Sequence, residues 1–240
     1  MTPLEKLLKD LRPVKTKYEL IRFGGDNDGG YLVPNDLDGI TACFSPGVAD
    51  NATFEKDLLE RGILSHLADA SVDGPPNGIE VASFEKKFLG GVKDEDHITL
   101  DQWTNRCGGF LGDWILQMDI EGSEYETILA AHMHTIRRFR IIVMEMHNVE
   151  QWFSPITWGC IKVFFDKLLD FFHVVHLHPN NNCSFLLADE IPLPTTFEIT
   201  LLRKDRSPDL GFVTSFPHPL DQPNVADKPD RPLPKSMYGE

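Results

Sequence analysis

Three features of the sequence predict an α/β fold built on a mostly parallel sheet. Strand-like and helix-like segments alternate from about residue 40 to residue 172. The strand-like runs, FRIIVMEM at 139–146 above all, are almost continuously apolar, as strands covered on both faces must be. Late in the chain, strand candidates follow one another without a helix between them, which suggests an antiparallel hairpin at one edge of the sheet. A chain of 240 residues suits one domain with an ample core. Within it, residues 1–35 give an N-terminal helix and a lid-like turn, and residues 206–240 an extended, Pro-rich tail.

Residues 3–11 carry Leu4, Leu7, Leu8 and Leu11 at helical spacing and should stop before Pro13. GGDNDGG at 24–30 is a turn-rich loop ahead of the short apolar stretch Tyr31-Leu32-Val33. Strands are predicted at Ile40–Phe44, Ile63–Ala68, Ile79–Phe84, Asp113–Asp119 and Phe139–Met146, and later at Val174–His178, Ser184–Leu187 and Phe197–Leu202. Helices are predicted at Thr53–Arg61, Leu100–Arg106, Ser123–Met133 and Thr157–Phe172. Ser123 with Glu126 three residues on has the pattern of a capping box. His132 and His134 then fall where they would meet the terminal carbonyls of that helix. Beyond residue 206, Pro, Asp and Lys dominate, as in a tail that wraps a domain or hangs partly loose.

Acidic residues number 37 against 23 basic ones, a formal charge of −14. Like charge argues against nucleic acid and anionic membrane as partners, and it suits a cationic or neutral ligand or an acidic metal pocket. No run approaches the ~18 apolar residues of a membrane span, and the N-terminus lacks the pattern of a signal peptide. Cys43, Cys107, Cys160 and Cys183 form no CxxC pair and read as buried small hydrophobes in a reducing compartment. A cytoplasmic location is the expectation; oligomeric state leaves no mark in the sequence.

In an open α/β sheet, ligands bind beyond the carboxyl ends of the strands. Gly47, in the loop after the first predicted strand of that sheet, would let backbone approach a ligand closely; an ordinary strand-to-helix turn is the other reading. GxGxxG is absent, which argues against a dinucleotide site, and there is no GxSxG, P-loop or HExxH. Asp69 ends a predicted strand, where an acid can accept both hydroxyls of a ribose or simply cap the loop. Asp119 and Glu121 stand two apart where an apolar strand emerges, on one side if the strand persists, and two such acids are costly unless solvated, paired or metal-bound. Glu145 with His147, and His176 with His178, repeat that spacing, and six of the nine histidines lie between 132 and 178. A divalent metal held by Asp119, Glu145 and His147, with His178 in reach, is geometrically allowed; a metal-free carboxylate–imidazole network is the alternative. Trp103, Trp114, Trp152 and Trp158 are candidates for ring stacking but by default pack, and Phe216–Asp221 could fold back over the site.

Several of these residues form a recognisable set. LQMDIEGSEY at 116–125 resembles the Asp-x-Glu-Gly-x-Glu signature of the FkbM-type methyltransferases. DGGY at 28–31, FSPGVADNATFE at 44–55, ITLDQW at 98–103 and VMEMH at 143–147 are similar to that family too, in its order, across roughly residues 20–205. The resemblance implies a Rossmann-like, seven-stranded class I fold, S-adenosyl-L-methionine as cofactor, and O-methylation, often of a sugar or natural-product hydroxyl, with a small molecule or glycan as acceptor. Carried over by position, Gly47 passes under the methionine part of the cofactor, Asp69 holds the ribose and Asp119 sits beside the methyl group. Tyr31, Val48, Asp50 and Ala70 complete the cofactor-binding set. The loop Ser45-Pro46-Gly47 departs from the family in lacking an acidic residue.

In that reading His147 or His178 is the base that takes the hydroxyl proton. Mg or Mn on Asp119, Glu145 and His147 would lower the hydroxyl's pKa, in a place similar to the metal of catechol-type methyltransferases. Two other classes stay open: a non-catalytic ligand-binding protein on a methyltransferase scaffold, and a metal-dependent hydrolase.

Overall fold

A computed structural model describes residues 1–107, 109, 111–188 and 191–238. The elements follow in the order α1 (Pro3–Asp10), β1 (Leu20–Phe23), β2 (Tyr31–Pro34), β3 (Ile40–Pro46), α2 (Thr53–Glu60), β4 (Ser65–Ala68), β5 (Ser83–Glu85), β6 (Phe88–Leu89), β7 (His97–Ile98), α3 (Leu100–Cys107), β8 (Asp113–Met118), α4 (Glu124–Ala130), α5 (Met133–Ile136), β9 (Phe139–Met146), α6 (Trp158–Leu169), β10 (Phe172–Pro179), β11 (Phe185–Ala188), β12 (Ile191–Pro194) and β13 (Phe197–Arg203). A central seven-stranded sheet runs β10-β13-β9-β8-β3-β4-β5. Pairing is parallel from β9 through β5, and β13 is antiparallel to both of its neighbours.

The apolar strands are continuous because both faces are covered. Leu116, Ile142 and Met144 face one cluster with Trp103, Phe139 and Phe164, whereas Ile115, Ile141 and Val143 face another with Phe54 and Leu58. Each such side chain contributes about 1.5–3 kcal/mol when fully buried. On α6 the buried stripe is Ile161, Phe164, Phe165 and Leu168, at the spacing that predicted it. Below the sheet, at the amino ends of the parallel strands, Arg140 is buried between Asp36 and Asp113, and Arg203 and Arg206 close the other sides of those acids. Burial opposes ionisation of Asp36 and Asp113, but their arginine hydrogen bonds outweigh it and hold both below the ordinary carboxylate range.

The late antiparallel pair at the sheet edge is β10–β13 as expected, with β13 as the inner strand between β10 and β9 and β11–β12 in the connection. Other expectations need correction. Only Ser83–Glu85 of the third predicted strand region pairs with β4; Pro76–Gly78 ahead of it forms a 3-10 turn. The 24–30 loop proves to be the connection of a hairpin, since Leu20–Phe23 pairs with Tyr31–Pro34. The predicted helix 123–133 breaks at Ala131 and His132, both extended. Asp101 of α3 accepts the His132 amide and the Thr135 hydroxyl and so starts α5 as a separate helix. His132 thus meets Asp101, at 2.5 Å, and not helix carbonyls. Ser123 makes no cap bond, so the capping box does not form. Cys160 is exposed, unlike the buried small hydrophobe expected, and all four cysteines are free. Trp103, Trp114 and Trp152 are core residues.

The tail wraps the domain. Leu210, Gly211 and Val213 exchange backbone hydrogen bonds with Pro13 and Lys15, while Leu233 and Met237 enter the core beside α1. Residues 239 and 240 lie outside the described residues. Among the described residues no helix is long and apolar enough to cross a membrane.

A candidate active site at the carboxyl ends of the strands

A cleft of about 550 Å³ opens where the chain leaves β3, β4 and β8. Tyr31, Gly47, Val48, Asp50, Asp69 and Asp119 line it; Ala70, predicted with them, does not. Gly47 lies at φ +82°, and a Cβ there would stand 1.7 Å from the Asp119 carbonyl oxygen. No other residue permits the loops after β3 and β8 to touch in this way. Among the described residues, Ala49, Glu121 and Asn148, in the loops after β3, β8 and β9, are the non-glycine residues with positive φ. Such strain clusters at functional sites, where surrounding structure over-determines the backbone. Asp69 is buried, and its carboxylate accepts the Ala49 amide at 2.8 Å and the Ser71 amide and hydroxyl at 2.7 and 2.6 Å. It pins the strained Ala49 while bordering the cleft.

β8 ends at Met118, so Asp119 and Glu121 do not continue the pleat. Glu121 swings out to solvent and Asp119 stays at the cleft floor. Tyr31 Oη lies 3.4 Å from Asp119 Oδ2, and Asp119 Oδ1 is buried without a hydrogen-bond partner. Burial first, then the charge of Glu145, push the Asp119 pKa up to about 8 against the pull of His147. The same carboxylates, added to burial, raise Tyr31 well above the phenol range.

His147 is the hub of the acids. Its Nδ1 is 3.1 Å from Glu124 Oε1; its Nε2 is 3.3 Å from Glu145, 3.6 Å from Glu121 and 3.9 Å from Asp119. Burial would lower its pKa, but Glu124 and Glu145 overcome this and raise it to about 11. Both ring nitrogens face carboxylates, an arrangement that favours the protonated imidazole. Sequence reasoning left out Glu124, which is fully buried and also accepts the Ile120 and Gly122 amides, holding the loop after β8 against the start of α4. As the third acid of the Asp-x-Glu-Gly-x-Glu run, it carried a signal in the sequence. Tyr125 donates to the His147 carbonyl at 3.0 Å and accepts from Trp152 at 2.8 Å, which fixes the backbone under the imidazole.

Ligand atoms of Asp119, Glu145 and His147 lie within 4.8 Å of one another, close enough to share one cation. His178 is not with them. It sits on β10, buried, with Nε2 3.1 Å from Asp230 of the tail and Nδ1 3.5 Å from Glu198. Burial opposes its charge, and Glu198 with the tail acids raises its pKa to about 9. His176 likewise faces tail Asp221 at 2.9 Å. The tail thus folds back onto these histidines, and they anchor it rather than the cleft.

A ligand held across strand ends, over a glycine that lets two loops meet, is the arrangement of the α/β proteins that bind a small molecule at a sheet's carboxyl edge. Residues 47–187 match the methyltransferase FkbM domain, and with more than half of its length so matched the chain belongs to the FkbM methyltransferase family. Tyr31 and the tail lie outside the matched residues. No curated protein matches the chain. Among solved structures, a protein designated a hemolysin from Streptococcus thermophilus is similar at a TM-score of 0.37 and 12% identity, over 77% of this chain and 62% of that one. A likeness that loose carries no functional weight.

Proposed function

We propose that the chain is an S-adenosyl-L-methionine-dependent O-methyltransferase acting on a hydroxyl of a sugar, glycan or nucleotide-sugar. The observation that carries this is Asp119 at the floor of the family-matched cleft, pressed against Gly47 and held near neutral pKa. The cleft suits the cofactor: six of its described lining residues are Asp or Glu and none is Lys or Arg, which favours a cation-bearing ligand. The sulfonium cofactor supplies an electrophilic methyl group. The protein positions the acceptor oxygen in line with it, which accounts for much of the rate. Asp119, rather than His147 or His178, takes the acceptor proton, because a base with a pKa near the operating pH works best. Glu124 and Glu145 keep His147 protonated, and that imidazolium steadies the Asp119 charge. Glu121, exposed at the rim, is placed to meet the acceptor.

An alternative is favoured by the shared reach of Asp119, Glu145 and His147 and by the unpartnered Asp119 oxygen. In that alternative these residues would hold a divalent cation such as Mg or Mn in place of the His147 proton, Asp119 would be a ligand and not the base, and the cation would polarise the acceptor hydroxyl.

Calorimetry with S-adenosylhomocysteine tests the proposal, and binding in the micromolar range is expected. Absence of binding, with and without Mg or Mn, refutes it. Activity that survives a chelator and Glu145→Gln undiminished removes the cation. Bound metal without affinity for the homocysteine compound would favour a hydrolase, and binding without turnover on any hydroxyl acceptor a non-catalytic scaffold.

A further inference from the structure

Of the carboxylates lining the cleft, Asp28, Asp50 and Glu121 are exposed and solvated, Asp69 is satisfied by the Ala49 and Ser71 donors, and Asp119 has His147 nearby. Glu55 has none of these. It projects from the first turn of α2, is 3% exposed and borders the cleft, and among the described residues its side-chain hydrogen-bond partner is the Ser45 hydroxyl.

Counting hydrogens sharpens the point. Ser45 Oγ stands against both Glu55 Oε1 and Gln117 Oε1, the latter at 2.5 Å. A hydroxyl has one hydrogen to donate. The second pair needs a hydrogen from elsewhere: from the Gln117 amide turned over, or from Glu55 itself, whose pKa burial raises. In neither case does the network contain a positive charge, and an ionised carboxylate buried this deeply is costly without one. The loop Ser45-Pro46-Gly47 has no acid, and α2 brings one to it from ten residues on.

We propose that Glu55 is the seat for a protonated amine of the ligand, which in S-adenosylmethionine is the α-ammonium of the methionine portion. This rests on the cleft being the site of that cofactor. The spacing agrees. Gln117, against which the Ser45–Glu55 pair packs, precedes Asp119 by two residues where β8 ends, so their Cα atoms lie within about 7 Å. In the cofactor four bonds separate sulfur from the amine nitrogen. A ligand with its methyl-bearing centre at Asp119 and its chain passing over Gly47 therefore brings its ammonium to Glu55.

The test is a two-by-two calorimetric comparison. Wild-type protein and Glu55→Gln, the latter checked for a wild-type circular dichroism spectrum, are titrated with S-adenosylhomocysteine and with its analogue lacking the amino group. A charge-assisted hydrogen bond predicts that the wild-type protein binds the full compound about 10- to 100-fold more tightly than the analogue, and that Glu55→Gln binds both as weakly as wild type binds the analogue. If Glu55→Gln does not fold, Glu55→Asp keeps the charge one methylene further back, and its loss must again fall on the full compound alone. Equal wild-type affinity for the two compounds overturns the assignment. Loss of both compounds in the variant also overturns it, because Glu55 is then structural, as does loss of neither. A wild-type protein that binds neither compound overturns the cofactor reading itself.

Discussion

Replacing Gly47 by Ala probes the junction on which the cleft depends. A methyl group at this position would lie 1.7 Å from the Asp119 carbonyl oxygen, 2.8 Å from its carbon and 3.1 Å from Ile120 Cγ2, where real Cβ atoms essentially never come closer than 3.0 Å. Two of those neighbours are backbone, so the loops after β3 and β8 must separate by more than 1 Å. The left-handed φ adds about 1–2 kcal/mol for a residue with a Cβ, and forcing a methyl into packed structure adds about 1–3 kcal/mol. For a chain of this size the sum lowers Tm by roughly 5–20 °C. Function should suffer more than stability: a displacement near 1 Å at a positioning element costs on the order of 100-fold in rate. Differential scanning calorimetry and titration with S-adenosylhomocysteine measure the two effects separately. A Gly47→Ala protein that melts with wild type and binds the compound equally well would refute the close-approach reasoning.

Other outcomes follow from the charged groups. Asp119→Asn should lower kcat by about 100- to 10,000-fold while S-adenosylhomocysteine still binds, and wild-type kcat should rise as pH passes through about 8, where Asp119 loses its proton; a pH-independent kcat would assign the base elsewhere. Arg140→Ala leaves Asp36 and Asp113 with only their outer arginines and should cost on the order of 3 kcal/mol in denaturant titration. Because the folded pKa values of Asp36 and Asp113 are depressed, their contribution is complete above the unfolded carboxylate pKa and fades as pH falls through the folded values, so the wild-type advantage over Arg140→Ala should shrink in acid. His178 shows the opposite sign: its folded pKa of about 9 is raised, so the anchoring of the tail through Asp230 is complete below about pH 6.5 and declines as pH rises through 9. Limited proteolysis should accordingly cut the 206–238 tail faster at pH 9.5 than at pH 6.5, and equal rates would place the anchorage in other contacts.

Much of the architecture was legible in one dimension because burial writes a period into the sequence. FRIIVMEM had to be a doubly covered strand, and the Ile161–Leu168 stripe had to be one face of a helix. Elements that depend on a partner were less legible. Leu20–Phe23 is a strand only because Tyr31–Pro34 pairs with it, and β12, the partner of the predicted β11, contains two prolines that local rules count against a strand. Asp101 divides the helix predicted at 123–133 from thirty residues away, which no window over that segment can register. In the candidate site, Gly47, Asp69, Asp119, Glu145 and His147 were singled out from their places at strand ends, and the structure brings them to the cleft and the acids around it. Glu124 and Glu55 were missed because an acid in the first turn of a helix ordinarily reads as a favourable helix-dipole residue.

What the sequence determined by itself was which strands are buried on both faces, where they end, and that acids and histidines gather at those ends. Side-chain type and spacing decide these, and both are local. The tertiary structure decided which ionisable group does what. His147 is drawn toward its cationic form because four carboxylates, from the loop after β8, the start of α4 and the end of β9, surround it. The Asp119 pKa is pushed up first because it is buried and then because Glu145 lies beside it. His178, two residues after His176 in the chain, belongs to the tail because β13 inserts between its strand and β9. Protonation follows distance and desolvation in space, and neither quantity is carried by the order of residues along the chain.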